Sequence, residues 1–316
     1  MAKEVKKPSS SKAAAAGGRT RKLTKKQAKG KVKQEVKTRK SLSGSFKLTA
    51  SVLMTIKLYW KPLGGIVLVY LLLNIVFASG ISNVSTAFSN IKDNIDATGN
   101  TGLLHAAAGF ASLIGSAGSS GSSTGSTLQS ILFVIESLVI IWALRHLLSG
   151  QNISVKLAYY RAMTPLIPFL LVIFVIIIQL LPVTIGATVF AAISTSVFAG
   201  SSVASVVSVV AFILLAAWSI YMVSASIFAL YIVTLPDIQP RQALRSAKDL
   251  VRFRRAVIIR KVFFLPLFIL VLMGVIMVPL ILYVPAIVPA VFYALSMLAI
   301  LFMHTYLYSL YREMIA

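Results

Sequence analysis

Apolar and polar residues fall along this chain in long blocks rather than in fine alternation. From residue 62 onward, apolar runs of about 20 residues recur with charge almost absent inside them. A run of that length matches the hydrocarbon of a bilayer, about 30 Å thick, because a helix rises about 1.5 Å per residue. The pattern predicts six spanning helices, over residues 62–82, 128–148, 164–183, 205–233, 262–283 and 287–309. The fourth apolar stretch is longer than one crossing requires, and tilt or an end outside the bilayer absorbs the excess. Pro285 and Pro289 place a break between the last two spans. The fold class that follows is all-α: a polytopic membrane protein with its spans in three hairpins and amphipathic helices at the cytoplasmic interface.

The segments between the spans carry their own patterns. Residues 1–45 are Lys, Ala, Ser and Gly with almost no large apolar side chains, and read as a disordered basic tail. Phe46, Ala50, Leu53, Ile56 and Trp60 then recur at helical spacing with Lys47, Lys57 and Lys61 between them, the pattern of a helix lying in the interface. Residues 83–127 form the largest loop. It ends in a flexible Gly/Ser tract, and its apolar piece Leu103–Ile114 is too short to span and reads as interfacial or re-entrant. Pro62, Pro165 and Pro266 lie about 100 residues apart, each after a basic stretch and near the start of an odd-numbered span, which suggests a triplicated hairpin. Pro at a helix start also has an ordinary cause, since its missing N–H would be unpaired there anyway.

Composition agrees with the pattern: 58% of residues are hydrophobic and 12% charged, against about 25% charged in soluble domains. Charge then sets the expected orientation. Of the 31 Lys and Arg, 18 precede Pro62 and eight lie between Arg241 and Lys261. With the N-terminus inside, inner segments hold 30 of them and outer loops one, Lys92. The expectation is therefore a bacterial cytoplasmic membrane protein with both termini cytoplasmic. No apolar h-region with a cleavage site opens the chain, so the first span is expected to serve as the targeting signal. The absence of Cys excludes disulfides, thiolate nucleophiles and thiolate metal sites. His105, His146 and His304 have no ligand spacing, and no paired carboxylates or nucleophile–base set is found. Neither catalysis, a metal nor a cofactor is expected.

Two features invite a functional reading. Arg241, Arg245, Lys248, Arg252 and Arg255 step by 4, 3, 4 and 3, one face of a helix, with Ala243, Leu244, Ala247, Leu250, Val251 and Ile258 opposite. Asp237 and Pro240 suit its start. Such a helix contacts anionic lipid headgroups, at about 1 kcal/mol per cation near the surface. An inward-facing loop that merely obeys the charge bias has the same composition. The second feature is Glu136, an ionisable group near the middle of the second span, where it costs at least a few kcal/mol. Asn74 falls at nearly the same depth in the first span, and the two are expected to face one another. Arg145 is nine residues from Glu136 and points to the opposite side of its helix, so it is expected to snorkel inward. A protonated Glu136 clasping the bundle and a Glu136 on a proton or cation path are both open.

Pro236-Asp237, Gln242-Ala243-Leu244-Arg245-Ser246, Leu250 and Arg254-Arg255 together resemble a signature of a broad bacterial family. Its members have six spans and are similar to the membrane domain attached to glycerophosphoryl diester phosphodiesterases. Gly150-Gln151-Asn152-Ile153-Ser154-Val155-Lys156 resembles that family's matching loop before the third span. The likeness covers roughly residues 45–316, but the family's Gly near Phe253 is missing and no phosphodiesterase domain is present. It implies an architecture and lipid-related work, not catalysis. Ala243, Ala247 and Leu265-Pro266 also resemble, more loosely, the cytoplasmic loop by which a permease subunit docks its ATPase. A transporter with a polar path near Glu136 and a protein partner on the cytoplasmic face is thus the alternative reading.

The tail's lysines lack interleaved aromatics and any nucleic-acid-binding fold, which argues against nucleic acid as the partner. Beside a bilayer they meet anionic lipid at high local concentration. A peptide of residues 1–45 is expected to bind anionic vesicles at low salt and to lose that binding at high salt; vesicle sedimentation across a salt series checks this.

Overall fold

The computed structural model describes residues 42–78, 84–86, 88–89, 103–116, 123–196, 202–236 and 238–315. The basic tail to residue 41, Lys92, most of the Gly/Ser tract and Asp237 lie outside the described residues. The elements are α1 (Ser45–Leu58), α2 (Trp60–Ala78), α3 (Leu103–Ser116), α4 (Ser123–Leu148), α5 (Val155–Ala162), α6 (Leu166–Ser196), α7 (Ser202–Ser226), α8 (Ala229–Val233), α9 (Pro240–Val251), α10 (Arg255–Tyr283), a 3-10 turn (Pro285–Ile287) and α11 (Val288–Ile315). Six helices are long and apolar enough to cross a membrane, so this is a multi-pass membrane protein. Consecutive spans pair as α2 with α4, α6 with α7 and α10 with α11.

Burial ranks these helices. Half of the apolar stretch of α4 is buried, against 11% for α6. Helix α4 therefore forms the centre, packed on α2, α5, α6 and α11. Helix α6 packs mainly on α7 and leaves Ile167, Leu171, Phe174, Ile178, Leu181 and Ile185 as one exposed stripe at steps of 4 and 3. Water would penalise that stripe, whereas hydrocarbon does not, because lipid tails are as apolar as the side chains. Helix α3 lays Ala106, Phe110 and Leu113 against Met273, Met277 and Ile281 of α10. The close approach is at Gly274, where a Cβ would stand 3.2 Å from the Phe110 ring.

The structure revises several expected boundaries. The third span begins as expected but its helix runs on to Ser196, with Pro182 inside it. The fifth starts at Arg255, so Pro266 lies well within α10 rather than at its start, unlike Pro62 and Pro165. The long fourth stretch is resolved by a break instead of tilt alone. Helix α7 stops at Ser226, residues 227–228 form a turn, and the short α8 follows with Phe228, Ala229 and Tyr231 fully buried.

The end of α8 leaves carbonyls open, and Arg145 of α4 answers them. Its Nη1 donates to the Thr234 carbonyl at 2.5 Å, and its Nη2 to the Tyr231 carbonyl at 2.7 Å and the Thr234 hydroxyl at 2.6 Å. A cation at a helix C-terminus also meets the negative end of the helix dipole. Arg145 thus turns toward the carbonyl end of α8. A polar chain holds the other side of Tyr231. Its hydroxyl donates to His304 Nδ1 at 3.3 Å, His304 Nε2–H donates to Ser137 Oγ at 3.0 Å, and Ser137 Oγ donates to the Phe133 carbonyl at 2.8 Å. This tautomer gives every member a partner.

Helix α1 also departs from expectation. It buries Leu48, Thr49 and Val52 against the bundle, with α11 as its main neighbour, while Leu53 and Met54 are exposed and Phe46, though exposed, meets the Phe264 ring of α10 edge-on at 5.1 Å. The apolar face seen in the sequence is thus the outward one, and a second face docks. The segment before α1 is tied to both the start of α10 and the end of α11. Lys261 Nζ donates to the Ser43 carbonyl at 2.5 Å and pairs with Glu313 at 3.8 Å, and the Ser43 hydroxyl donates to Glu313.

Arg145→Ala would remove the guanidinium donors from the Thr234 and Tyr231 carbonyls and leave the Tyr231 carbonyl only the Thr234 hydroxyl, at 3.0 Å. A loss of about 2–3 kcal/mol is expected, from one to two unsatisfied groups, with partial recovery in Arg145→Lys. Reversible unfolding in mixed micelles measures it.

Candidate functional site: the basic end of the bundle

The ends of α4 and α8 and the starts of α2, α6 and α10 meet at one end of the bundle, where α5 and α9 also lie. Helix α9 opens with Gln239 as N-cap and Pro240 in its first turn. Ala243, Ala247 and Val251 are buried, at steps of 4, and face α7 and α8. The small alanines permit close backbone approach. Arg241, Arg245 and Lys248 are exposed on the other side.

The expected five-cation stripe is not continuous. Helix α9 ends at Val251 and residues 252–254 turn, closed by a hydrogen bond from Arg254 N to the Val251 carbonyl at 3.0 Å. Arg252 sits on the turn, 5.6 Å from the Phe253 ring. Arg255 opens α10 and lays its guanidinium 4.1 Å from the exposed Tyr221 ring of α7, a cation–π contact between the two helices. A spanning helix and a helix across its end cannot share one axis, so the chain must break between them. No Gly or Pro marks the place, and the 3.6-residue period ran through it unseen.

Glu136 and Asn74 are both buried, at 1% and 0% exposure, on the packed pair α4 and α2. They do not bond each other directly. The Asn74 amide donates to the Tyr70 carbonyl of its own helix at 3.1 Å, and Tyr70 stands beside both residues. The partner of Glu136 is Tyr159 of α5, whose hydroxyl donates to Glu136 Oε2 at 2.7 Å and also lies 3.2 Å from the Ile66 carbonyl of α2. Burial first, then the neighbouring Glu136 carboxyl, push the Tyr159 phenol above its ordinary value, so it stays the donor. Glu136 Oε1, Asn74 Oδ1 and the Tyr293 hydroxyl have no partner. Among the described residues, the ion pair found is Lys261 with Glu313, not one with Glu136.

Tyr159 was missed in the sequence, although a signal exists. Ser154 caps α5 by accepting from Leu157 N at 3.3 Å, and Val155, Ala158, Tyr159 and Ala162 then share one face at steps of 3, 1 and 3. Ala158 and Ala162 are fully buried, which aims Tyr159 inward. Helix α5 can sit this close because α2 offers Gly65, where a Cβ would lie 2.7 Å from Val155 Cγ2. The loop leading into α5 is equally specified. Gly150 takes a positive φ of 83°, its N–H donates to the Leu147 carbonyl at 3.0 Å, and Gln151 N donates to the His146 carbonyl at 3.0 Å, closing α4 by a Schellman motif.

Tyr159→Phe is expected to destabilise the bundle by about 1 kcal/mol, the scale of a polar contact between membrane helices. In a Glu136→Leu background the same change should cost less, since only the contact with the Ile66 carbonyl remains to be lost, and a double-mutant cycle in micelles reads that coupling. Comparison with protein-family models, with curated proteins and with solved structures finds no match for this chain.

Proposed function

We propose that this protein is a non-catalytic membrane protein that engages anionic lipid headgroups at its basic end. The observation that carries the reading is the division of α9: small apolar residues seal it to the bundle, while Arg241, Arg245 and Lys248 face outward beside the helix ends. Arg252, exposed on the following turn, adds to that surface. A helix held this way presents charge at headgroup level without spending it on internal ion pairs. The exposed apolar residues Phe46, Leu53 and Met54 of α1, with Trp60 at the start of α2, suit the same interface. With this end cytoplasmic, the charges meet the anionic leaflet. The resemblance to the membrane domain of glycerophosphoryl diester phosphodiesterases fits a lipid-facing role. Glu136 acts in this reading as a clasp that Tyr159 ties to α5, since both it and Asn74 are closed off from solvent.

The test is native mass spectrometry of the full chain released from nanodiscs of mixed neutral and anionic phospholipid. The wild type should retain anionic lipid. Arg241→Ala, Arg245→Ala and Lys248→Ala together should weaken retention by about 100-fold, from about 1 kcal/mol per cation. Unchanged retention would refute the reading, and a stoichiometric ATPase subunit retained in its place would turn it toward a permease.

A further inference from the structure

A cavity of about 840 Å³ opens at the basic end, between the end of α4, the loop into α5, the start of α6, the end of α8 and the start of α9. None of the outward cations of α9 lines it, and neither does Glu136 or Asn74. Its polar wall is instead Arg145, His146, Gln151, Asn152, Arg161 and Gln239. No acidic side chain is among the described residues that line it.

The strongest donors of that wall, the guanidinium groups of Arg145 and Arg161, suit a negatively charged oxygen. Arg145 has met the carbonyl end of α8. Arg161, at the end of α5, is exposed. His146 donates from Nδ1 to the Trp142 carbonyl at 2.9 Å and stacks on the Trp142 ring at 3.8 Å, which fixes its plane and leaves Nε2 as its other polar atom. Gln239 and Pro240 bring the N-terminal end of α9 to the cavity, with no acidic residue in its first turn and no side-chain cap. Its first N–H groups and the positive end of its dipole add to the two guanidinium groups. The volume exceeds what a bare inorganic ion needs and lies in the range of small-molecule sites. Apolar walls at Trp142, Leu157 and Pro168 fit the carbon part of a ligand at the level where the spans end.

We infer that this cavity is a discrete site for one phosphate-bearing ligand, a phosphoester headgroup whose phosphate meets Arg161 and Arg145. It differs from the surface contact proposed for α9 in being saturable, stoichiometric and independent of the α9 cations. The phosphate belongs either to a membrane lipid or to a soluble phosphoester, and the probes below separate these.

The full chain in a neutral maltoside micelle is titrated with dihexanoyl phosphatidic acid and read by native mass spectrometry. The expected result is saturation at one per chain, weakened about tenfold or more by Arg161→Ala, the scale of a charge-assisted hydrogen bond. Arg161→Lys should recover part of the affinity, and the triple α9 variant Arg241→Ala, Arg245→Ala, Lys248→Ala should stay within about twofold of wild type. A measurement on the unmodified chain stands beside the variants: the probe should protect Arg161, but not Arg241, from phenylglyoxal. Glycerol 3-phosphate binding as tightly as the short-chain lipid supports the site and assigns it a soluble phosphoester; tighter binding of the lipid assigns it a headgroup. Equal binding of dihexanoylglycerol, which lacks phosphate, overturns the proposal. So does an Arg161→Ala variant of unchanged affinity, or a loss in the α9 variant equal to that in Arg161→Ala. Failure of the α9 variant in nanodiscs would leave this site standing, and failure here would leave the α9 contact standing.

Discussion

A buried backbone carbonyl at the end of a helix needs a new donor, and the architecture of this protein depends on how one such end is answered. The fourth apolar stretch interrupts itself at residues 227–228, and the resumed helix α8 ends in carbonyls at Tyr231 and Thr234. Each buried group left unsatisfied would cost about 1–3 kcal/mol. Arg145 supplies the donors from the central helix α4, and a planar guanidinium suits the task because it reaches several acceptors at once. Tyr231 is then held at both ends, by Arg145 at its carbonyl and by His304 at its hydroxyl, and its ring lies against Tyr308 and Tyr311. Three helices meet on this one residue. Because α8 is pinned, α9 has a fixed floor on which its alanines pack.

The same logic runs through the other polar groups of the interior, with one difference. The Ser137–His304–Tyr231 chain closes on itself with a partner for each member. The cluster around Glu136 does not: it gains Tyr159 and keeps Glu136 Oε1 and Asn74 Oδ1 without partners. Such atoms are rare in well-packed proteins, so the polar contacts between α2, α4 and α5 are only partly satisfied. Gly65, which lets α5 approach, and Ser154, which starts it, both serve to deliver one phenol to one carboxyl.

The basic end thereby divides its cations by what they can reach. Lys261 and Arg255 are consumed by Glu313 and Tyr221 and hold the start of α10. Arg145 holds α8. Arg241, Arg245 and Lys248 have no such duty and remain at the surface. A count of charges by side treats all of these alike, yet those of the last group are the ones that stay exposed on α9. Arg161 belongs with neither set, since it stands at the mouth of a cavity rather than on an open face.

Chain pattern alone determined the membrane architecture, because the length of an apolar run and the thickness of hydrocarbon leave one solution for each segment. Six spans, the turn at Pro285–Ile287 and the apolar face of α9 through Ala243, Ala247 and Val251 were all legible for that reason. The break at residues 227–228 was not, because apolar composition is equally high on both sides of it. Periodicity likewise carried the cation stripe through residues 252–254, where the need to change axis ended the helix without a Gly or Pro. For α1 the pattern found an apolar face, but an all-round mixture of Phe46, Leu48, Val52 and Leu53 does not say which side meets protein and which meets lipid. Glu136 could be singled out from its depth, whereas Tyr159, 23 positions away in the chain, became its partner only once Gly65 and the turn at Gly150 had brought α5 onto α2. Local sequence fixes helix, length and outward face through solvation; which polar groups meet across helices is decided by packing, because that is where the distances are set.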